Sequence, residues 1–211
     1  LAEETGDIDA IGCWVLDTAA RQATAWRRSM EHCGALWVSV NVSPVQLRSR
    51  RSRDAMQRIL SDANVEAGNI VLEVTESALV ADAEGGIASL HELKQQGVRI
   101  AIDDFGAGFS ALSRLVRFPL DILKIDRSFI SGQASGAASV LMLEAILGMA
   151  DKLSLEVIAE GIERPDQYDL LRGLGCRLGQ GFLLSRPVAP NVLEALLASG
   201  GLVQLPVAAA L

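Results

Sequence analysis

The chain is poor in the residues that announce redox or soft-metal chemistry. Its three cysteines, Cys13, Cys33 and Cys176, are widely spaced and form no CxxC pair, which argues against a zinc site and a disulfide framework. They read as reduced, structural thiols. There are two histidines, His32 and His91, each alone among polar, helix-like neighbours, and both read as surface side chains. No run approaches the roughly 20 apolar residues of a membrane span, and no signal peptide opens the sequence. Basic charge is scarce too: 19 Lys and Arg against 26 Asp and Glu give a net charge of −7, and Arg48 to Arg53 is the one brief cationic stretch. A DNA or RNA polymer needs a basic surface and is not an expected partner. A small phosphate ester remains open if divalent metals sit between it and an acidic site. Low-complexity tracts and internal linkers are absent as well. These absences leave a cytoplasmic, reduced, single-domain protein as the expectation.

What is present is apolar and periodic. The 211 residues are 50% hydrophobic, enough to bury a sizeable core, yet short of the ~250 typical of a complete eight-unit α/β barrel. Six short apolar runs end on an acid, an amide or a lysine, and a helix-like stretch follows each. They are Trp37-Val38-Ser39-Val40-Asn41, Ile70-Val71-Leu72-Glu73, Ile100-Ala101-Ile102-Asp103-Asp104, Ile122-Leu123-Lys124-Ile125-Asp126, Val157-Ile158-Ala159-Glu160 and Leu178-Gly179-Gln180. The pattern predicts strands over 37–43, 69–76, 98–104, 121–126, 155–160 and 176–183. A helix over 8–33 precedes them, and helices near 45–62, 83–96, up to about 153, from Pro165 and over 190–198 alternate with them. A short helix ending before Pro119 and an irregular apolar tail over 199–211 complete the reading. Alternation of this kind implies βα units around a parallel sheet.

Residues two apart on a strand share a face. Ser39, Asn41 and Ser43 therefore oppose Val38, Val40 and Val42, and Glu73 and Thr75 oppose Leu72 and Val74. Asp103 falls with Ala101, Asp126 with Lys124, and Glu160 with Ile158. One face meets the helices, and the other carries functional groups toward the mouth of a barrel, where such folds keep their active sites. Converging Glu73, Asp103, Asp104 and Glu160, with Asn41, offer hard oxygen ligands without histidine or thiolate. That donor set suits Mg²⁺ or Mn²⁺, with Ca²⁺ as an inhibitory substitute. A two-metal site of this type activates water for in-line displacement at phosphorus. Lys124 among the acids can orient or deprotonate that water, or hold a phosphate oxygen, and Gln180 supplies a neutral donor and acceptor. Gly106 and Gly108 follow the aspartates as a hinge or lid would. Singly, Glu76, Asp126 and Glu163 also suit helix N-caps or surface charges, and Glu163 a brace for the glycine loop.

These residues, in this order, resemble the EAL domain of bacterial cyclic-di-GMP phosphodiesterases. The resemblance rests on Ser39-Val40-Asn41-Val42-Ser43, Glu73-Val74-Thr75-Glu76, Asp103-Asp104-Phe105-Gly106, Leu123-Lys124-Ile125-Asp126, Ala159-Glu160-Gly161-Ile162-Glu163 and Gln180-Gly181-Phe182, and covers about residues 1–195. It implies a TIM-like (β/α)₈ barrel that linearises cyclic di-GMP to pGpG with two Mg²⁺ or Mn²⁺ ions. By position, Asn41, Glu73, Asp103 and Asp104 are then metal ligands, and Lys124, Glu160 and Gln180 serve catalysis. Glu76 and Glu163 support the loop of Gly106 and Gly108, while Thr75 and Asp126 stand behind the site. The resemblance further implies a homodimer and an upstream diguanylate cyclase-like (GGDEF) or sensor domain, or a membrane tether. One departure is large. The family's Glu-Ala-Leu strand, with its metal ligand and the arginine that grips the substrate phosphate, has no counterpart here. Glu194-Ala195-Leu196 spells the letters in the last helix by coincidence. The expectation is therefore a partial EAL domain over 1–198, with about six βα units, the first two strands missing, and no turnover on its own. Smaller departures are Ala107 and Phe109 for threonine and tyrosine, and Phe182 for tyrosine. A catalytically inactive domain that serves as a receptor for the dinucleotide or as a protein-interaction module, and a different metal-dependent barrel acting on an enolate or phosphate ester, are the competing readings.

Overall fold

The computed structural model describes residues 1–29, 36–64, 66, 68–76, 83–106, 115–130 and 137–198. His32, Cys33, Gly108 and the tail 199–211 lie outside them. Six strands, β1 (Val38–Asn41), β2 (Ile70–Thr75), β3 (Arg99–Phe105), β4 (Ile122–Ile125), β5 (Glu156–Ala159) and β6 (Leu178–Gly179), pair in sequence order. Every pairing is parallel, and the sheet curls as part of a TIM-like barrel. Among the described residues, the outer edges of β1 and β6 pair with no other strand.

The helices are α1 (Ala2–Thr5), α2 (Ile8–Ser29), α3 (Pro44–Arg48), α4 (Arg50–Asp62), α5 (Ala83–Lys94), α6 (Ala137–Lys152), α7 (Pro165–Gly173) and α8 (Pro190–Ala198); α2 to α7 cover the convex face, while Glu3 of α1 accepts from Ser43 Oγ just past β1. The stretch expected as a single helix near 45–62 is two. Ser49 has extended backbone, ends α3, and accepts from the Ser52 N–H to start α4. A residue that caps well breaks the helix more cheaply than it continues it. Asn64, Gly97 and Ser154, each at positive φ, close the turns after α4, α5 and α6.

The two faces of the sheet bury different things. Val40, Leu72, Val74, Ile100, Ile102, Leu123 and Ile125 pack outward on Leu16, Ala20, Met56, Leu60, Leu90, Leu93 and Leu143 of the helices. The concave face has its own small apolar layer, Val71, Ala101, Ile122 and Ile158, with Trp37 against it. Below that layer Arg99 lies over the Trp37 ring, 5.8 Å from its centroid, and pairs with Glu156. The lumen is thus stacked: a charged plug at the strand N-termini, an apolar middle, and the strand C-termini above it.

β6 is shorter than the run 176–183 because the chain turns at once. Leu183 N–H donates to Ile162 O at 2.9 Å, and Leu184 and Ser185 N–H return to Gly181 O at 3.0 and 3.1 Å. A β-carbon on Gly181 would fall onto the Ile162 backbone, which cannot move aside as a side-chain tip can. A Gly181→Ala variant is expected to lose about 3 kcal/mol, lowering Tm by roughly 10 °C. Thermal unfolding followed by circular dichroism checks this, and an unchanged Tm refutes the close approach.

Candidate active site

Glu73, Asp103, Lys124 and Glu160 meet at the C-terminal mouth of the sheet. Parallel pairing aligns the strand ends: Asn41 stands beside Glu73, and Thr75 beside Asp103. The Glu160 N–H then donates to Ile125 O at 3.1 Å as β5 leaves the ladder. Lys124 is 4% exposed and Glu73 5%. The Lys124 ammonium reaches Glu73 Oε2 at 2.7 Å, Asp103 Oδ1 at 3.0 Å and Glu160 Oε1 at 2.7 Å. Three donors thus meet three carboxylates, the arrangement a buried ammonium requires.

The electrostatics follow from that crowding. Burial works to lower the Lys124 pKa, but its hydrogen bonds with Glu160 and Glu73 outweigh burial and hold it above the ordinary lysine range. Burial raises the Glu160 carboxyl despite its bond to Lys124. Asp104 is raised as well, by burial first and then by the charges of Asp103 and Asp126. One lysine does not neutralise this many acids, and the surplus negative charge calls for a further cation.

Adjacent aspartates on a regular strand would point to opposite faces. They do not here, because β3 carries a bulge. Ile102 pairs with Leu123 and Phe105 with Ile125, so Asp103 and Asp104 together oppose Lys124. Asp104 sits at φ +54°, a left-handed conformation that aspartate tolerates better than most residues. Its N–H donates to Asp103 Oδ1 at 3.1 Å. As a result one carboxylate oxygen from each of Asp103, Asp104 and Glu160 lies within 4.8 Å of the others. Strand parity alone would have lost Asp104; the bulge returns it to the site. An all-oxygen cluster of this span could hold a hard divalent cation.

The remaining residues sit around this centre. Asn41 and Gln180 are exposed at the ends of β1 and β6, and the Gln180 backbone bonds Ala159 O at 2.8 Å and Ile162 N–H at 3.1 Å. Glu76 Oε2 accepts from Gly106 N–H at 3.2 Å, so this glutamate holds the first residue of the glycine loop; the stretch from 107 to 114 lies outside the described residues. Gly106 has φ +95°. Asp126 caps the 3₁₀ turn Arg127–Phe129 through the Ser128 N–H at 2.9 Å. Glu163 is exposed. Its backbone is fixed by a residue the sequence reading passed over: Gln167 Oε1 accepts from the Glu163 and Arg164 N–H groups at 2.8 and 2.9 Å, and its amide donates to Ile130 O at 3.0 Å. A glutamine three residues after Arg164, the residue that caps a helix opened by Pro165, was the available signal. Glu194 lies in the last helix as expected, where it accepts from the Trp26 indole at 2.8 Å and ties α8 to α2.

The chain is similar to known proteins and to solved structures. Two Pseudomonas aeruginosa proteins are each 41% identical over 196 residues: the bifunctional diguanylate cyclase/cyclic di-GMP phosphodiesterase MucR and the cyclic di-GMP phosphodiesterase NbdA. Either alignment takes in 92% of this chain but only 28% of MucR and 24% of NbdA, so the chain spans about a quarter of these relatives. Among solved structures, the MucR phosphodiesterase in complex with c-di-GMP superposes with a TM-score of 0.85 at 40% identity, over 92% of this chain and 77% of that one. The EAL domain of Mycobacterium smegmatis DcpA gives 0.83 at 37%, over 90% and 85%. The manganese/c-di-GMP complex of Klebsiella pneumoniae BlrP1 gives 0.72 at 29%, over 83% and 44%. The model of the EAL domain matches residues 1–187, and the chain therefore belongs to the EAL domain family.

Proposed function

We propose that this chain carries the catalytic face of a phosphodiesterase that opens cyclic di-GMP to linear pGpG. The observation that carries the reading is the oxygen cluster of Asp103, Asp104 and Glu160, within 4.8 Å and anchored by the buried Lys124. Asn41, Glu73, Asp103 and Asp104 would hold two Mg²⁺ or Mn²⁺ ions, and Ca²⁺ would occupy the same oxygens without supporting turnover. Ions so bound supply Lewis acidity that activates water and offsets charge on the phosphoryl group. The chain's own residues do the rest. With its raised pKa, Lys124 is a firmly protonated donor, suited to orienting a water or a phosphoryl oxygen rather than to removing a proton. Glu160, its carboxyl raised by burial, stands beside that donor as the neighbouring proton acceptor. Gln180 orients groups at the rim, and Glu76 and Glu163 steady the loop of Gly106 and Gly108, with Thr75 and Asp126 behind the ligands.

Two exposed apolar residues side by side on α6, Leu141 and Met142, support a homodimer. The free thiols of Cys13 and Cys176 suit the cytoplasm. No helix among the described residues is long and apolar enough to cross a membrane. The relatives' greater length supports a GGDEF or sensor domain as a partner in the whole protein.

Among the described residues β1 and β6 have unpaired outer edges, which supports a barrel completed by further strands. The 211-residue chain alone is accordingly expected to release no pGpG with Mn²⁺, as followed by ion-exchange chromatography. Fused to the segment that precedes the matched region in MucR, it is expected to release pGpG. Product from the chain alone overturns the need for added strands. A folded fusion without product overturns the phosphodiesterase assignment.

A further inference from the structure

The turn that leaves β6 is fixed before it presents two side chains at the mouth. Gly181 lies against the Ile162 backbone, the Leu184 and Ser185 N–H groups return to Gly181 O, and Ser185 Oγ donates to Arg186 O at 2.9 Å. This turn holds Phe182 52% exposed. The Arg186 guanidinium lies over the Phe182 ring, 4.6 Å from its centroid. Among the described residues no acceptor meets the Arg186 side-chain N–H groups. The pair follows directly on Gln180, whose backbone is bonded to Ala159 and Ile162, the residues flanking Glu160 and Gly161. It therefore stands on the rim next to the acid cluster.

A dianionic substrate approaching this mouth meets Asp103, Asp104 and Glu160. The one lysine there already has all three donors engaged. From the stack we infer that Phe182 and Arg186 form a platform for one guanine base of the cyclic dinucleotide, an inference that rests on the phosphodiesterase reading above. The purine lies on the outer face of the guanidinium, with Phe182 backing it, and the in-plane N–H edges face the phosphate of the same nucleotide. A planar delocalised cation can stack and donate at once; a lysine there could do only one. Pre-set by the turn, the pair binds without first being ordered.

Isothermal titration with cyclic di-GMP in Ca²⁺ of the fusion that completes the barrel tests this, with Mn²⁺ affinity as the control. Phe182→Ala and Arg186→Ala are each expected to weaken dinucleotide binding about tenfold, in the range for loss of a base–aromatic stack, and to leave Mn²⁺ binding unchanged. Arg186→Lys keeps the charge and loses the face, so it is expected to behave as Arg186→Ala, whereas Phe182→Tyr binds as wild type. Wild-type affinity in both alanine variants, recovery by Arg186→Lys, or a matching loss of Mn²⁺ affinity overturns the platform while leaving the phosphodiesterase reading standing. Failure of the wild-type fusion to bind cyclic di-GMP removes that reading, and this inference with it.

Discussion

A Lys124→Met substitution is expected to lower cyclic di-GMP turnover by roughly 10²- to 10³-fold in the fusion that completes the barrel, the cost of losing one preorganised charge donor. The same change is expected to destabilise the chain. Methionine fills much of the lysine's volume but leaves Glu73, Asp103 and Glu160 facing one another, two of them within 3 Å of the position the ammonium held. Removing one partner from a buried charge cluster costs about 3–5 kcal/mol. Urea unfolding in chelator reads that loss. Mn²⁺ then separates the roles of the lysine. The ion and the ammonium share carboxylates, so Mn²⁺ is expected to raise the Tm of Lys124→Met by more than that of wild type, without restoring turnover. Turnover within threefold of wild type would remove Lys124 from the mechanism. A variant as stable as wild type in chelator would show that the three carboxylates do not need it.

Much of this arrangement was legible in the sequence because a barrel strand has two faces and a period of two. Apolar residues at 38, 40, 72, 74, 100, 102, 123 and 125 marked the helix side, and polar residues at 73, 103, 124 and 160 marked the mouth. The structure brings those four polar side chains together. Three features were not legible. The bulge at Asp103–Asp104 depends on register with β4, a relation between strands that neither strand's pattern contains. The break at Ser49 pits helix continuation against capping, and a serine in a polar helix suits both. The lumen plug joins Arg99 of β3 and Glu156 of β5 with Trp37, just before β1, and these side chains look individually like strand-start surface. The common cause is tertiary: what a strand does alone is periodic, and what strands do to one another is not.

Asp104→Asn is expected to move stability and function in opposite directions. The left-handed backbone at φ +54° is kept, since asparagine adopts it as readily as aspartate, so the bulge survives. The charge does not. Burial first, and then Asp103 and Asp126, penalise the ionised Asp104, and removing its charge relieves that penalty. In chelator at neutral pH the variant should have a Tm equal to or above that of wild type. The pH dependence carries the same sign. Asp104 and Glu160 have raised folded-state pKa values, so wild type gains stability as pH falls through them and loses it as pH rises. Asp104→Asn should flatten that slope by the Asp104 share and leave the Glu160 share in place. Mn²⁺ affinity, by contrast, should fall at least 100-fold, beyond the 10- to 100-fold typical of a lost outer partner, and turnover in the completed domain by about 10³-fold. A residue kept in a strained conformation, against its charged neighbours, at a cost to the fold is one whose carboxylate does something the fold does not need. Wild-type Mn²⁺ affinity in Asp104→Asn would break that argument, and the bulge would then be a packing feature of β3 and β4.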